Sequence, residues 1–271
     1  MDFRTLVDIP APPFRIAPLE KVLCIGSCFA DRLGERFERA GFAVVRNPFG
    51  VMYNPVSVWH TVDRTDFVPD TAVITLGTNR VYRWKETGEI VDNCGKRPAS
   101  LFQEEALDAD TCAAALRKSV DRLRERNPQV KVVLTVSPIR YRKYGYHGSR
   151  LSKAVLLLAA DRIVSDTEYA GQAAYFPSYE IMNDELRDYR FYAPDMLHPS
   201  EQAVDYIWER FRDSCLSDEA LAFLREWLPT EKTLAHRPFD ADNGDYRRLM
   251  EETRQKREDI LRRYGKNNQK E

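Results

Sequence analysis

No apolar run in this chain is long. Across 271 residues no stretch reaches the roughly 20 residues a membrane-spanning helix needs, and the opening MDFRTLVDIPAPPFRIAP lacks the uninterrupted apolar centre of a signal peptide. Both absences lead to the expectation of a cytoplasmic protein with no membrane partner. Charge of either sign is not in excess: 41 basic and 42 acidic side chains give a net charge of -1, so no global field draws the protein to nucleic acid or anionic lipid. Cysteine is scarce and odd in number, with five residues at positions 24, 28, 94, 112 and 215. That spacing offers neither a disulfide framework nor a zinc site, and the apolar patterns around Cys24 and Cys112 predict buried thiols. A phosphate-cradling P-loop, a dinucleotide GxGxxG and an HExxH are all missing. Kinase, dehydrogenase and metalloprotease readings therefore lack support, and neither cofactor nor metal is expected.

What is present is an α/β pattern. Short apolar runs bounded by turn signals at 22–25, 43–45, 72–76, 132–136 and 173–176 read as buried parallel strands. Phe29, Leu33 and Phe37 recur at helical spacing among charged residues, with Gly41 as the stop, and Cys112, Leu116, Val120 and Leu123 mark another helix ended by Asn127-Pro128. The segment 154–160 is apolar nearly all round and predicts a deeply buried helix. Residues 80–93 read as a β-hairpin turning near Thr87-Gly88, inserted beside the carboxyl edge of the sheet. Ser200 is placed to cap a helix carrying Val204, Ile207, Trp208 and Phe211. We expect one α/β domain over residues 1–229. A charged helical C-terminal extension over 230–271, ending in a frayed tail, is the candidate surface for homo-oligomerisation.

In such a sheet ligands collect at the carboxyl ends of the strands, and Ser27 stands at one of them, before a helix whose N-terminal N–H groups suit an oxyanion. A serine needs a base. Of the four histidines, His60 lies in an amphipathic helix, His236 near the charged tail and His147 in a Tyr- and Arg-rich loop. His198 is the best base, because Asp195 precedes it by three residues in a loop held by Pro194 and Pro199 and could orient the imidazole. Cys28 is the rival nucleophile, at a helix N-terminus expected to lower its pKa. Arg140, Tyr141, Tyr146 and His147 are the candidate substrate rim after a strand end. A non-catalytic carbohydrate- or partner-binding module on the same fold is the alternative to an enzyme.

The blocks GSCFA at 26–30, NPFGVMYNP at 47–55, LGTNRVYRWKETGEIVDNCGK from Leu76, TVSPIRY from Thr135, LSKA from Leu151 and YFPSYEIMNDELRDYRFYAPDMLHPSEQAVDYIWERF from Tyr175 resemble, in order, those of the GSCFA family, which is similar to the SGNH (GDSL-type) hydrolases. The resemblance spans roughly residues 20–212. It implies a three-layer α/β/α sandwich with a flavodoxin-like, mostly parallel five-stranded sheet. It also implies a cofactor-free serine esterase or acyltransferase acting on an acyl ester, with a carbohydrate-borne O-acyl group as the expected substrate. Carried onto this sequence, it implies Ser27 as nucleophile, His198 as base and Asp195 as its partner, with an oxyanion hole from the Ser27 N–H, Gly50 and Asn79. Arg80 departs from the hydrolase pattern, where Asp is usual.

Overall fold

In the computed structural model, which describes residues 5–236 and 244–265, five strands form one parallel sheet. They are β1 (Lys21–Gly26), β2 (Ala43–Arg46), β3 (Thr71–Leu76), β7 (Lys131–Val136) and β8 (Ala173–Tyr175), in the order β2-β1-β3-β7-β8. Counted within the sheet alone this is the flavodoxin-like order 2-1-3-4-5. Each strand was read from an unbroken apolar run, and the two faces explain why the runs are unbroken. Val22 and Cys24 turn to one side, where α1 (Cys28–Arg39) brings Phe29, Leu33 and Phe37 and α6 (Glu201–Cys215) brings Val204, Ile207 and Phe211. Leu23 and Ile25 turn to the other, against α2 (Pro55–Arg64), α3 (Ala109–Arg126) and α4 (Gly145–Val164). Successive residues of a strand alternate faces, so a sheet covered on both sides is apolar at every position. The layers are helix, sheet, helix, as expected.

The insert is larger than the hairpin expected from the sequence. β4 (Arg80–Trp84) and β5 (Ile90–Val91) form the antiparallel pair, and β6 (Phe102–Ala106) adds a third strand along the other edge of β4. β6 reads FQEEA, and only Phe102 of it is buried, so no apolar run announced it. The helix read at 154–160 begins earlier, at Gly145, and is not buried all round: Leu151 and Leu158 are each 56% exposed while Lys153, Leu156 and Ala160 face inward.

After β8 the short helical stretch Ser178–Glu180, α5, continues as a wider turn over Ile181–Leu186. Beyond α6, helix α7 (Asp218–Leu234) runs through position 229 with Pro229 inside it, and α8 (Gly244–Gly265) packs along α7. Ile260 and Tyr264 of α8 join the α1–α6 side of the core, and Glu226 of α7 accepts hydrogen bonds from Arg263 and Tyr264. The frayed tail expected at the chain end falls in 266–271, outside the described residues. Among the described residues no helix is long and apolar enough to cross a membrane, and Cys24, Cys112 and Cys215 are buried free thiols.

Candidate active site

The junction between β1 and α1 is built around one glycine. Gly26 has φ +122°, and a Cβ there would stand 2.0 Å from the Thr75 carbonyl oxygen, so only glycine lets the end of β1 lie this close to β3. Ser27 follows as the N-cap of α1. Its N–H donates to Thr75 O at 3.0 Å, its Oγ pairs with Thr75 Oγ1 at 2.9 Å, and the same Oγ accepts from Phe29 N. The hydroxyl is thus turned into the protein, and Ser27 has no exposed surface. Cys28, the first residue of α1, is the one that faces out of the junction, half-buried.

His198 comes from the loop before α6. Asp195 Oδ1 accepts the backbone N–H groups of Leu197 and His198 at 2.9 and 3.0 Å, and its Oδ2 meets His198 Nδ1 at 2.5 Å. These three bonds hold the Asp195 carboxyl down to about 2, the backbone donors contributing most, so it is a carboxylate at any ordinary pH. The loop closes on itself through Ala193 N to His198 O, and Ser200 caps α6 by accepting from Ala203 N. The imidazole's remaining nitrogen, Nε2, lies 3.7 Å from Cys28 Sγ.

The expected pairing of His198 with Ser27 is therefore not the one the fold makes. Asp195, His198 and Cys28 are brought together in series, while Ser27 serves as a buried cap. The reason is local: an N-cap side chain must bend back over its own helix to reach the free N–H groups, which leaves the next residue to face the loop carrying His198. The expected lowering of the Cys28 pKa is also reversed. Burial pushes the thiol up, against opposing contributions from its own N–H, Tyr53 and the charge of Lys153. Such a thiol needs a base at hand to lose its proton.

All three groups implied as oxyanion donors are engaged elsewhere. Besides the Ser27 N–H, Gly50 N donates to Asn47 O at 2.8 Å in a turn where Gly50 has φ +93°, and Asn79 Nδ2 donates to Leu107 O at 2.6 Å. Asn79 is drawn away because it starts the insert, whose last strand ends just before Leu107. Of the rim residues, Arg140 lies over Tyr146 at 4.1 Å and Tyr192 at 5.1 Å, and its N–H donates to Leu197 O beside His198. Tyr146 and His147 are exposed in the first turns of α4 rather than in a loop. Tyr141 departs from the rim: its hydroxyl is buried.

Two residues that the sequence reading left without a role stand at the site. Tyr53, from the second block of the resemblance, accepts from Gly77 N and Thr78 N at 3.0 and 2.8 Å and meets the Tyr141 ring edge-on, and it opposes the rise of the Cys28 pKa. Lys153, from the LSKA block, is 1% exposed and donates to Gly77 O and Ser137 O at 2.7 and 2.8 Å, joining the carboxyl ends of β3 and β7. A lysine at the inner face of an otherwise apolar helix was the signal that could have found it. Among the described residues no group of three His, Cys, Asp or Glu could hold a metal ion.

Arg36 clamps the two helices that carry the site. It is 3% exposed in α1 and bonds Glu201 Oε2 and Asp205 Oδ1 of α6 at 2.7 and 2.8 Å. Arg36→Ala should lower stability by about 2 kcal/mol in urea unfolding, less than for a fully buried pair because both carboxylates are more than half exposed.

Compared with known proteins, the chain matches the sequence model of the GSCFA family over residues 21–68 and 66–211. A comparison with curated proteins found no match. Similar solved structures include a carbohydrate esterase family 3 protein from Talaromyces cellulolyticus, at 14% identity and a TM-score of 0.43, covering 76% of this chain and 98% of that one. Another is a carbohydrate esterase family 2 enzyme with a carbohydrate binding domain from Corynascus thermopiles (Myceliophthora fergusii), at 15% identity and a TM-score of 0.46, covering 78% of this chain and 69% of that one.

Proposed function

The chain belongs to the GSCFA family, and from that premise and the site geometry we propose that it is an acyl-ester hydrolase or acyltransferase that forms its covalent intermediate on Cys28. The observation that carries the reading is the series Asp195, His198, Cys28, with Nδ1 held at 2.5 Å on one side and Nε2 at 3.7 Å from sulfur on the other. A carboxylate that fixes the imidazole's first nitrogen leaves the second free to take a proton from the nucleophile. His198 removes the Cys28 proton as sulfur attacks the acyl carbonyl, and then protonates the departing alcohol. Water or a second alcohol, deprotonated by the same imidazole, takes the acyl group from sulfur. Because burial raises the Cys28 pKa, the base acts during attack rather than maintaining a standing thiolate. The exposed tyrosines around Arg140, Tyr146 at 48% and Tyr189 at 68%, suit a sugar bearing the acyl group.

The test is mass-spectrometric mapping of the adducts left by p-nitrophenyl acetate and by a fluorophosphonate, on the wild type and on His198→Ala. We expect an acetyl group on Cys28 that is lost in His198→Ala, and no fluorophosphonate adduct on Ser27. An adduct on Ser27 would return the nucleophile to the serine. Ligand binding with no adduct from either reagent would make the chain a binding module.

A further inference from the structure

The Tyr141 hydroxyl is buried and has no hydrogen-bond partner among the described residues. Buried hydroxyls nearly always find one, so an orphan calls for a physical account. Its position is defined by Gly77: a Cβ on that glycine would stand 2.4 Å from Tyr141 Oη and 3.4 Å from Ser27 Cβ. The hydroxyl therefore lies between the carboxyl ends of β1 and β3, at the foot of α1, the helix that Cys28 begins. The ring is fixed on several sides. It meets Tyr53 edge-on with centroids 6.0 Å apart, its backbone N–H donates to Ser149 Oγ at 3.2 Å, and Lys153 Nζ stands 5.1 Å from the ring centre. Burial also holds the phenol well above its ordinary pKa, so it remains a neutral O–H donor.

We infer that Tyr141 donates a hydrogen bond to the oxyanion formed when Cys28 is acylated, an assignment that rests on the acyl-enzyme reading above. A hydroxyl left unpaired in the free protein and paired only in the tetrahedral intermediate stabilises the transition state without stabilising the ground state. Of the donors implied by the family resemblance, the Ser27 N–H and the Gly50 N–H are bonded elsewhere, and Asn79 Nδ2 is turned to Leu107 O. The Cys28 N–H, at the first position of α1 where a helix N–H has no partner within its own helix, is the natural second donor. In the step itself the S–C bond forms as His198 Nε2 takes the thiol proton, and the carbonyl π pair moves onto oxygen. That oxygen accepts from Tyr141 Oη–H and the Cys28 N–H. When the intermediate collapses, the C–O ester bond breaks and the proton on His198 passes to the alcohol oxygen. Tyr141 keeps its proton throughout.

Tyr141→Phe removes only the hydroxyl. With p-nitrophenyl acetate, kcat should fall about a hundredfold to a thousandfold with KM little changed. Alkylation of Cys28 by iodoacetamide, which forms no oxyanion, should proceed at the wild-type rate, and the melting temperature should hold or rise because an unpaired buried polar atom is gone. A variant that keeps wild-type kcat overturns the assignment. So does one in which alkylation slows as much as turnover, because Tyr141 would then act on the thiol. In either case loss of turnover in Cys28→Ala leaves the acyl-enzyme reading standing. A wild type that forms no acyl-enzyme overturns both.

Discussion

Cys28→Ala should lose turnover of p-nitrophenyl acetate by at least about ten-thousandfold, the scale on which removal of a covalent nucleophile acts, while Ser27→Ala keeps it within about tenfold of wild type. The two residues are adjacent, so the contrast depends on direction alone. Ser27 is fully buried with its hydroxyl on Thr75 Oγ1 and the Phe29 N–H, whereas Cys28 Sγ is the atom within 3.7 Å of His198 Nε2. Removing the Ser27 hydroxyl takes the cap from α1, at about 1 kcal/mol, and leaves Thr75 Oγ1 without that partner. Stability should therefore fall in Ser27→Ala and hold more nearly in Cys28→Ala. Steady-state kinetics and urea unfolding on both variants read the two effects separately. The opposite pattern, with turnover surviving in Cys28→Ala and lost in a folded Ser27→Ala, would give the role back to the serine.

That two neighbouring residues could be confused shows where the sequence stops being readable. The sheet was legible because burial on both faces leaves a run such as Val22 to Ile25 wholly apolar, and the helices because Phe29, Leu33 and Phe37 keep to one side. The Asp195–His198 pair was legible because it is local: three residues within one turn can hydrogen-bond each other whatever the rest of the chain does. Which of Ser27 and Cys28 meets His198 is settled by a contact across 170 positions and by the capping demand of α1, and neither leaves a mark in composition or spacing. The turn of Asn79 toward Leu107 was hidden for a similar reason. Its amide answers to Leu107, a neighbour created by folding back a strand, β6, that has almost no apolar signature. Lys153 and the Tyr141 hydroxyl were hidden because long and amphipathic side chains are ordinarily read as surface.

Lys153 also makes the second large prediction, one of stability against pH. Its ammonium group is enclosed beneath the carboxyl ends of β3 and β7, between the rings of Tyr141 and Tyr179, and among the described residues no carboxylate is paired with it. Burial lowers its pKa to about 7, opposed only by the charge that Cys28 can carry. In the unfolded chain a lysine titrates near 10.4. Below pH 7 both states hold the proton, and the penalty of burying the charge is fully present. Between pH 7 and about 9 the folded protein releases this proton while the unfolded chain keeps it, so the lysine's contribution to stability rises with pH. Its slope approaches about 1.4 kcal/mol per pH unit, a gain on the order of 2 kcal/mol by pH 9. The buried thiols of Cys24, Cys112 and Cys215, and Cys28 with them, act the other way: unfolded cysteines ionise from about pH 8 upward, whereas the folded thiols hold their protons. That opposing contribution is common to the wild type and to Lys153→Met, which keeps much of the side-chain volume and removes only the lysine titration. Urea unfolding of both proteins from pH 6.5 to 9 should therefore show their stability difference shifting in favour of the wild type by on the order of 2 kcal/mol, whatever constant offset follows from Gly77 O and Ser137 O losing their donor. A difference that stays constant would mean that the buried amine keeps its charge through pH 9.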